Sequence, residues 1–150
     1  MEQAAHEDVD KLVSRALDAL SAGQTQPALA QLERALKVMD NPSLHSYLGY
    51  CIAKERGQVK RGRELCLAAL ELEPENPVHY LNLAKVHKIA GQKAEAMGVL
   101  RNGMSVGGSE EILALLGSLG TRKSPPLPFL PRDHPLNKWL GIVLSRLGVR

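Results

Sequence analysis

Aromatic side chains are nearly missing from this sequence, which holds three Tyr, one Phe and one Trp. Sandwiches and barrels lean on aromatic and β-branched strands, so this scarcity argues against an all-β fold. Long apolar runs are missing as well. No stretch approaches the roughly 18 uninterrupted apolar residues of a membrane span. Cysteine is scarce, and Cys51 and Cys66 make neither a C-x-x-C pair nor a disulfide framework. The first ten residues are polar and acid-rich, without the basic and apolar regions of a signal peptide. A cytoplasmic, reducing setting is therefore the expectation. Charge of one sign is not in large excess: 19 Lys plus Arg face 16 Asp plus Glu. With 44% apolar residues, that balance argues against the intrinsically disordered class. At 150 residues the chain is long enough to bury a real core.

Signatures of chemistry are also missing. His6, His45, His79, His87 and His134 are scattered rather than set at metal-ligand spacing, and neither cysteine has a suitable close neighbour. Gly107-Gly108 lacks the Gly-Lys-Ser/Thr ending of a phosphate loop, and no G-x-S-x-G nucleophile motif occurs. No catalytic residue, metal ligand, cofactor or small-molecule substrate is expected.

What the sequence does contain is a repeat. Gly23-Gln24, Gly57-Gln58 and Gly91-Gln92 are spaced by 34 residues each time. The register holds downstream: small residues recur as Ala28, Gly62 and Ala96, and medium ones as Leu32, Cys66 and Leu100. Small ones return at Ala35, Ala69 and Gly103, followed at once by Leu36, Leu70 and Met104. Offsets of three and four place these on one helical face. Upstream of each glycine runs a second helical stretch, Val9 to Ala22, Pro42 to Arg56 and Pro77 to Ala90. Asn41-Pro42 and Asn76-Pro77 read as helix starts, Asn as N-cap and Pro as first helical residue. These two pairs are 35 apart, one more than the glycines, which predicts a lengthened turn near Glu55-Arg56 and a rotated exposed face on that helix.

Period and pattern together resemble the tetratricopeptide repeat. The third copy matches best, with Tyr80, Leu83-Ala84, His87, Gly91, Ala96, Leu100 and Gly103. The resemblance implies an all-α, right-handed α-solenoid of three helix pairs at about 9–42, 43–76 and 77–110. A capping helix is expected at 109–120, started by Ser109 with Glu110 and Glu111 near its positive end. A Pro-rich linker, 121–134, and an amphipathic C-terminal helix, 135–150, complete the expected plan.

The resemblance further implies a concave groove lined by the first helix of each pair. Carried over by position, the groove takes Val13 and Leu17 from the first repeat. The second contributes Tyr47, Tyr50 and Lys54, and the third Val78, Leu81, Asn82, Lys85 and Lys88. Ser46 falls on the same expected face. The first third is apolar and the last third cationic, which suits a protein or peptide segment of mixed hydrophobic and acidic character. A chaperone-type carboxylate clamp in this family uses five Lys, Asn and Arg residues. The corresponding positions here include the apolar Val13, Leu17 and Val78, so recognition of chaperone C-termini is not expected. The expected function is a non-enzymatic adaptor or scaffold, monomeric or weakly dimeric.

The tail carries a separate signal. Residues 121–150 hold six basic and one acidic side chain, whereas residues 1–42 hold four basic and seven acidic. The tail also has the chain's only Phe, Phe129, and only Trp, Trp139. It could pack on the solenoid as an extended cap, occupy the groove until displaced, or touch an anionic surface. Homo-oligomerisation or assembly through the last helix is the alternative function. Nucleic-acid or membrane-surface binding ranks behind it, since no recognised motif supports either.

Overall fold

A computed structural model describes residues 1–120 together with positions 139, 142, 143, 145, 146 and 148. The chain divides into two compact units, Met1–Leu119 and Gly120–Arg150. The first is built from α1 (Glu2–Ser21), α2 (Thr25–Val38), α3 (His45–Arg56), α4 (Val59–Leu72), α5 (Pro77–Ile89), α6 (Lys93–Ser105) and α7 (Glu110–Gly120), which closes at the unit boundary. A short 3₁₀ turn, Pro42–Leu44, precedes α3, and no strand occurs among the described residues. α1 pairs with α2, α3 with α4, and α5 with α6. Successive pairs stack, α2 against α3 and α5 against both α3 and α4. The architecture is an all-α helical repeat solenoid.

The repeating turn is a glycine turn. Gly23, Gly57 and Gly91 take φ of 74°, 68° and 76°, a region that side chains with a Cβ rarely enter. The extra residue of the second repeat shows in the hydrogen bonds of this turn. Gly23 and Gly91 donate three residues back, to Leu20 and Lys88, and Gln24 and Gln92 five back, to Ala19 and His87. Gly57 instead donates four back, to Ala53, and Gln58 six back, to Ile52. The expected lengthening at Glu55-Arg56 is thus one added residue in the closing turn.

Both Asn-Pro starts are capped as their sequence demands. The Asn76 side chain accepts from the Val78 N–H at 3.1 Å, and Asn41 accepts from the Ser43 N–H at 3.1 Å. They differ in what they start: Asn76 opens α5 directly, whereas Asn41 opens the 3₁₀ turn that feeds α3. At the other end of the unit, α1 begins seven residues earlier than the apolar pattern suggests. Ala4 and Ala5 are strong helix formers, Glu2 lies in the positive first turn, and Lys11 pairs with Glu7 one turn back at 3.6 Å.

Small residues set the packing distance and leucines fill the rest. Ala16, Ala28, Leu32, Ala35, Cys66, Ala84, Ala96, Leu100 and Ile112 are fully buried. Each fully buried Leu contributes about 2 kcal/mol of transfer free energy. Cys66 occupies the slot of Leu32 and Leu100 and lies in a core cluster with Ala53, Leu83 and Val86. Ile112 and Leu119 of α7 close the last cluster over Leu81, Ala84, Ala96 and Leu100. α7 therefore caps the third pair, started by the Ser109 hydroxyl accepting from the Ile112 N–H at 3.1 Å. In the second unit, positions 139, 142, 143, 145 and 146 are helical. The linker reading for 121–134, Phe129 within it, and much of the 135–150 helix lie outside the described residues.

Candidate functional site

Residues three and four apart on α1, α3 and α5 share a face, so each helix presents one row of side chains to one surface. Leu17, Tyr47, Tyr50, Val78, Leu81, Asn82 and Lys85 line a cavity of about 280 Å³. Tyr50, Lys54, Lys85 and Lys88 line an adjoining one of about 340 Å³, completed by Ile89 and Leu115. Tyr50 and Lys85 belong to both. Nine of the ten residues expected to form the groove are therefore brought together on one surface.

Val13 is the exception. Val9, Val13 and Ala16 follow one stripe of α1 at offsets of four and three, and that stripe faces the core. Val13 packs against the cluster of Ala16, Leu29 and Ile52. Leu17 and Ser21, one step around the helix, line the cavity instead.

Asn82 lines the cavity wall but is only 2% exposed. Its amide donates to the Ser46 hydroxyl at 3.0 Å, and Ser46 lies 2.6 Å from His79 Nδ1. His79 Nε2 lies 2.7 Å from a Glu73 carboxylate oxygen. One assignment satisfies every group. His79 Nε2–H donates to Glu73, Ser46 O–H donates to Nδ1, and Asn82 N–H donates to Ser46. Ser46 is buried with them rather than open to the groove. Buried polar groups without partners are costly, and this chain of bonds joins α3 to α5 directly behind the groove wall.

The electrostatics of the open surface centre on Lys85. Its ammonium sits 4.9 Å from the centroid of the Tyr50 ring, within cation–π range. Burial pushes its pKa down, the Glu111 carboxylate pulls it back up, and Lys54 pushes it down again. The Tyr47 phenol is pushed up, chiefly by burial and then by the charge of Glu111. Among the described residues, no carboxylate lies within ion-pair distance of Lys54, Lys85 or Lys88. Ser109 and Glu111 also line the first cavity. Sequence alone marks these two as helix-start residues, because only the stacking of α7 on the third pair carries them to the groove end.

Reactive groups are few. Burial pushes the Cys51 and Cys66 thiols up to about 12, so both stay protonated and unreactive at neutral pH. No group of three His, Cys, Asp or Glu side chains able to hold a metal ion occurs among the described residues. Nor is any helix among them long and apolar enough to cross a membrane.

Comparison with known proteins places this geometry in context. Residues 65–97 match the family model described as Tetratricopeptide repeat. No curated protein matches the chain. An O-GlcNAc transferase mutant from Thermobaculum terrenum superposes with a TM-score of 0.63 at 20% identity, over 77% of this chain and 22% of that one. This chain thus spans about a fifth of that enzyme. The Sgt2 TPR domain from Aspergillus fumigatus superposes at 0.58 and 16% identity, over 83% of this chain and 91% of that one. The second TPR domain of human RPAP3, solved with the HSP70 peptide SGPTIEEVD, superposes at 0.57 and 13% identity, over 79% of this chain and 99% of that one.

Proposed function

We propose that this helical repeat solenoid, whose residues 65–97 match the tetratricopeptide-repeat model, is a non-enzymatic adaptor binding a protein or peptide segment along the surface formed by α1, α3, α5 and the start of α7. The observation that carries this reading is the division of the groove. Leu17, Leu20, Val78 and Leu81 make one end apolar, and Lys54, Lys85 and Lys88 make the other cationic. Tyr50 and Lys85 form the joint. A segment placing an apolar side chain at the first end and a carboxylate at the second would bury the one and pair the other. Lys85, partly stripped of water and without a salt-bridge partner among the described residues, gains most from an incoming carboxylate. The RPAP3 domain, of the same fold, was solved with a bound peptide, which supports a polypeptide as the ligand class.

Glu111 sharpens the expected ligand. Its charge acts on Tyr47 and Lys85 from the α7 end of the groove, so the acidic residue of a ligand belongs on the Lys54–Lys88 side, away from it. The proposed setting is cytoplasmic, supported by two free, buried cysteines where oxidising compartments favour disulfides. Binding of synthetic extended peptides pairing an apolar with an acidic residue tests the proposal. Lys85→Glu is expected to weaken the best such peptide at least about tenfold, equal to about 1.4 kcal/mol. Unchanged affinity in that variant, with the fold intact by circular dichroism, overturns it.

A further inference from the structure

The first helix pair carries a second cleft that shares no residue with the groove. Residues 1–42 hold only four basic side chains against seven acidic ones, yet all four basic residues line this one depression of about 530 Å³. Lys11 and Arg15 come from α1, and Arg34 and Lys37 from α2. Asp8 is the one acidic residue on its wall among the described residues. Lys11 pairs weakly with Glu7 at 3.6 Å, on the exposed surface of α1. Arg15, Arg34 and Lys37 have no ion-pair or hydrogen-bond partner among the described residues. The other acids are placed elsewhere or engaged, as Glu33 is by Arg56 at 2.6 Å. Between the cations lie Leu12 and Val38, the latter 59% exposed. Arg15 and Leu17 are two residues apart on α1, so this cleft and the groove lie on opposite faces of the helix.

We propose that this cleft is a second docking surface, for an acidic polypeptide segment that also presents an aliphatic side chain. Like charges gathered in a concavity repel one another, and that repulsion is relieved by an incoming anion. Two guanidinium forks suit carboxylates in particular. Leu12 and Val38 offer apolar lining that a free inorganic anion would not use. Among the described residues the cleft has no aromatic side chain on which a base could stack, which disfavours single-stranded nucleic acid.

Fluorescence anisotropy with a labelled peptide of repeated Glu-Asp-Leu triplets, about 12 residues long, tests this on the full chain. The measurement is made in a Lys85→Glu background, so that loss of the groove and loss of the cleft are read separately. Arg15→Glu with Arg34→Glu is expected to cut the remaining affinity at least about tenfold. The neutral pair Arg15→Gln and Arg34→Gln is expected to give a smaller loss with native helicity. Raising salt from about 0.05 to about 0.5 M should weaken binding in the parent and far less in the double variants. The proposal is overturned if the Glu pair binds like its parent or if Lys85→Glu alone removes all binding. Equal binding of a Gln-Asn-Leu peptide, or preferential binding of an oligouridine probe, overturns it too.

Discussion

The second and third helix pairs have the same plan and different interiors. In α3–α4 the backbones themselves meet. A Cβ on Gly49 would stand 2.5 Å from the Gly62 carbonyl oxygen, and one on Gly62 would stand 2.5 Å from that of Gly49. In α5–α6 the corresponding space is filled by methyl groups, with Ala84 and Ala96 fully buried beside Leu100. The difference teaches what fixes residue identity at a helix crossing. Where backbones touch, only glycine fits at both positions. Where side chains touch, the fit can be adjusted by repacking.

The sharpest way to break this comparison is to add one methyl group to the tight pair. Gly62→Ala is expected to destabilise by about 3 kcal/mol, because the nearest atom it meets is the Gly49 carbonyl oxygen, which is backbone and cannot rotate away. The reverse change in the third pair, Ala96→Gly, is expected to cost about 1–2 kcal/mol through lost burial and added backbone freedom. Urea unfolding of both variants reads the contrast. A Gly62→Ala midpoint indistinguishable from the parent's would show that the α3–α4 contact yields as easily as a side-chain one.

The seam between the two pairs comes next in size. Ser46→Ala removes the hydroxyl that links His79 to Asn82, leaving two buried groups without partners. The expected cost is about 2 kcal/mol. His79→Ala in combination should cost much less than the sum of the single changes, since both remove the same chain of bonds. Additive losses would mean that the bonds contribute independently.

These contrasts also mark how much was legible in the residues themselves. The period was, because Gly23, Gly57 and Gly91 must each adopt positive φ and therefore cannot drift in identity. The extra residue before Gly57 was legible from spacing alone, although its hydrogen-bond form was not. The groove rows on α3 and α5 came from the family resemblance, carried over by position. Ser46 and Asn82 were not separable from those rows, because on both helices one face borders the groove and the neighbouring pair at once. Val13 failed for a related reason: the boundary between core stripe and groove row on α1 falls between Val13 and Leu17. Glu111 could not be placed by any local rule. Its distance to Lys85 is set by how α7 stacks on the third pair.

A smaller effect of opposite sign tests whether glycine is tolerated or required. Gly98 lies inside α6, and a Cβ there would meet nothing within 4 Å. Gly98→Ala is expected to stabilise by about 0.5–1 kcal/mol through helix propensity alone. Set beside Gly62→Ala, the same substitution then changes sign between the second and third pairs. A loss of stability at position 98 would place an unrecognised contact on that face of α6.

The smallest effect concerns Glu73, at the end of α4, where the chain passes from the second pair to the third. Its carboxyl is held below the ordinary value of 4.5, first by the hydrogen bond with His79 and then by one with Ser43. A carboxylate whose pKa is lowered on folding adds stability that is fully present above 4.5 and is lost as pH falls through the folded value. Glu73→Gln keeps an oxygen to accept from His79 but cannot be protonated in that range. The variant is therefore expected to be slightly less stable than the parent at pH 7, with a flatter decline below pH 4.5, so that the two converge in acid. Urea midpoints at about pH 7, 4.5 and 3 check this. Parallel decline of parent and variant would mean that the His79–Glu73 contact contributes no charge-dependent stability to the seam, leaving its geometry to the Ser46–His79–Asn82 bonds alone.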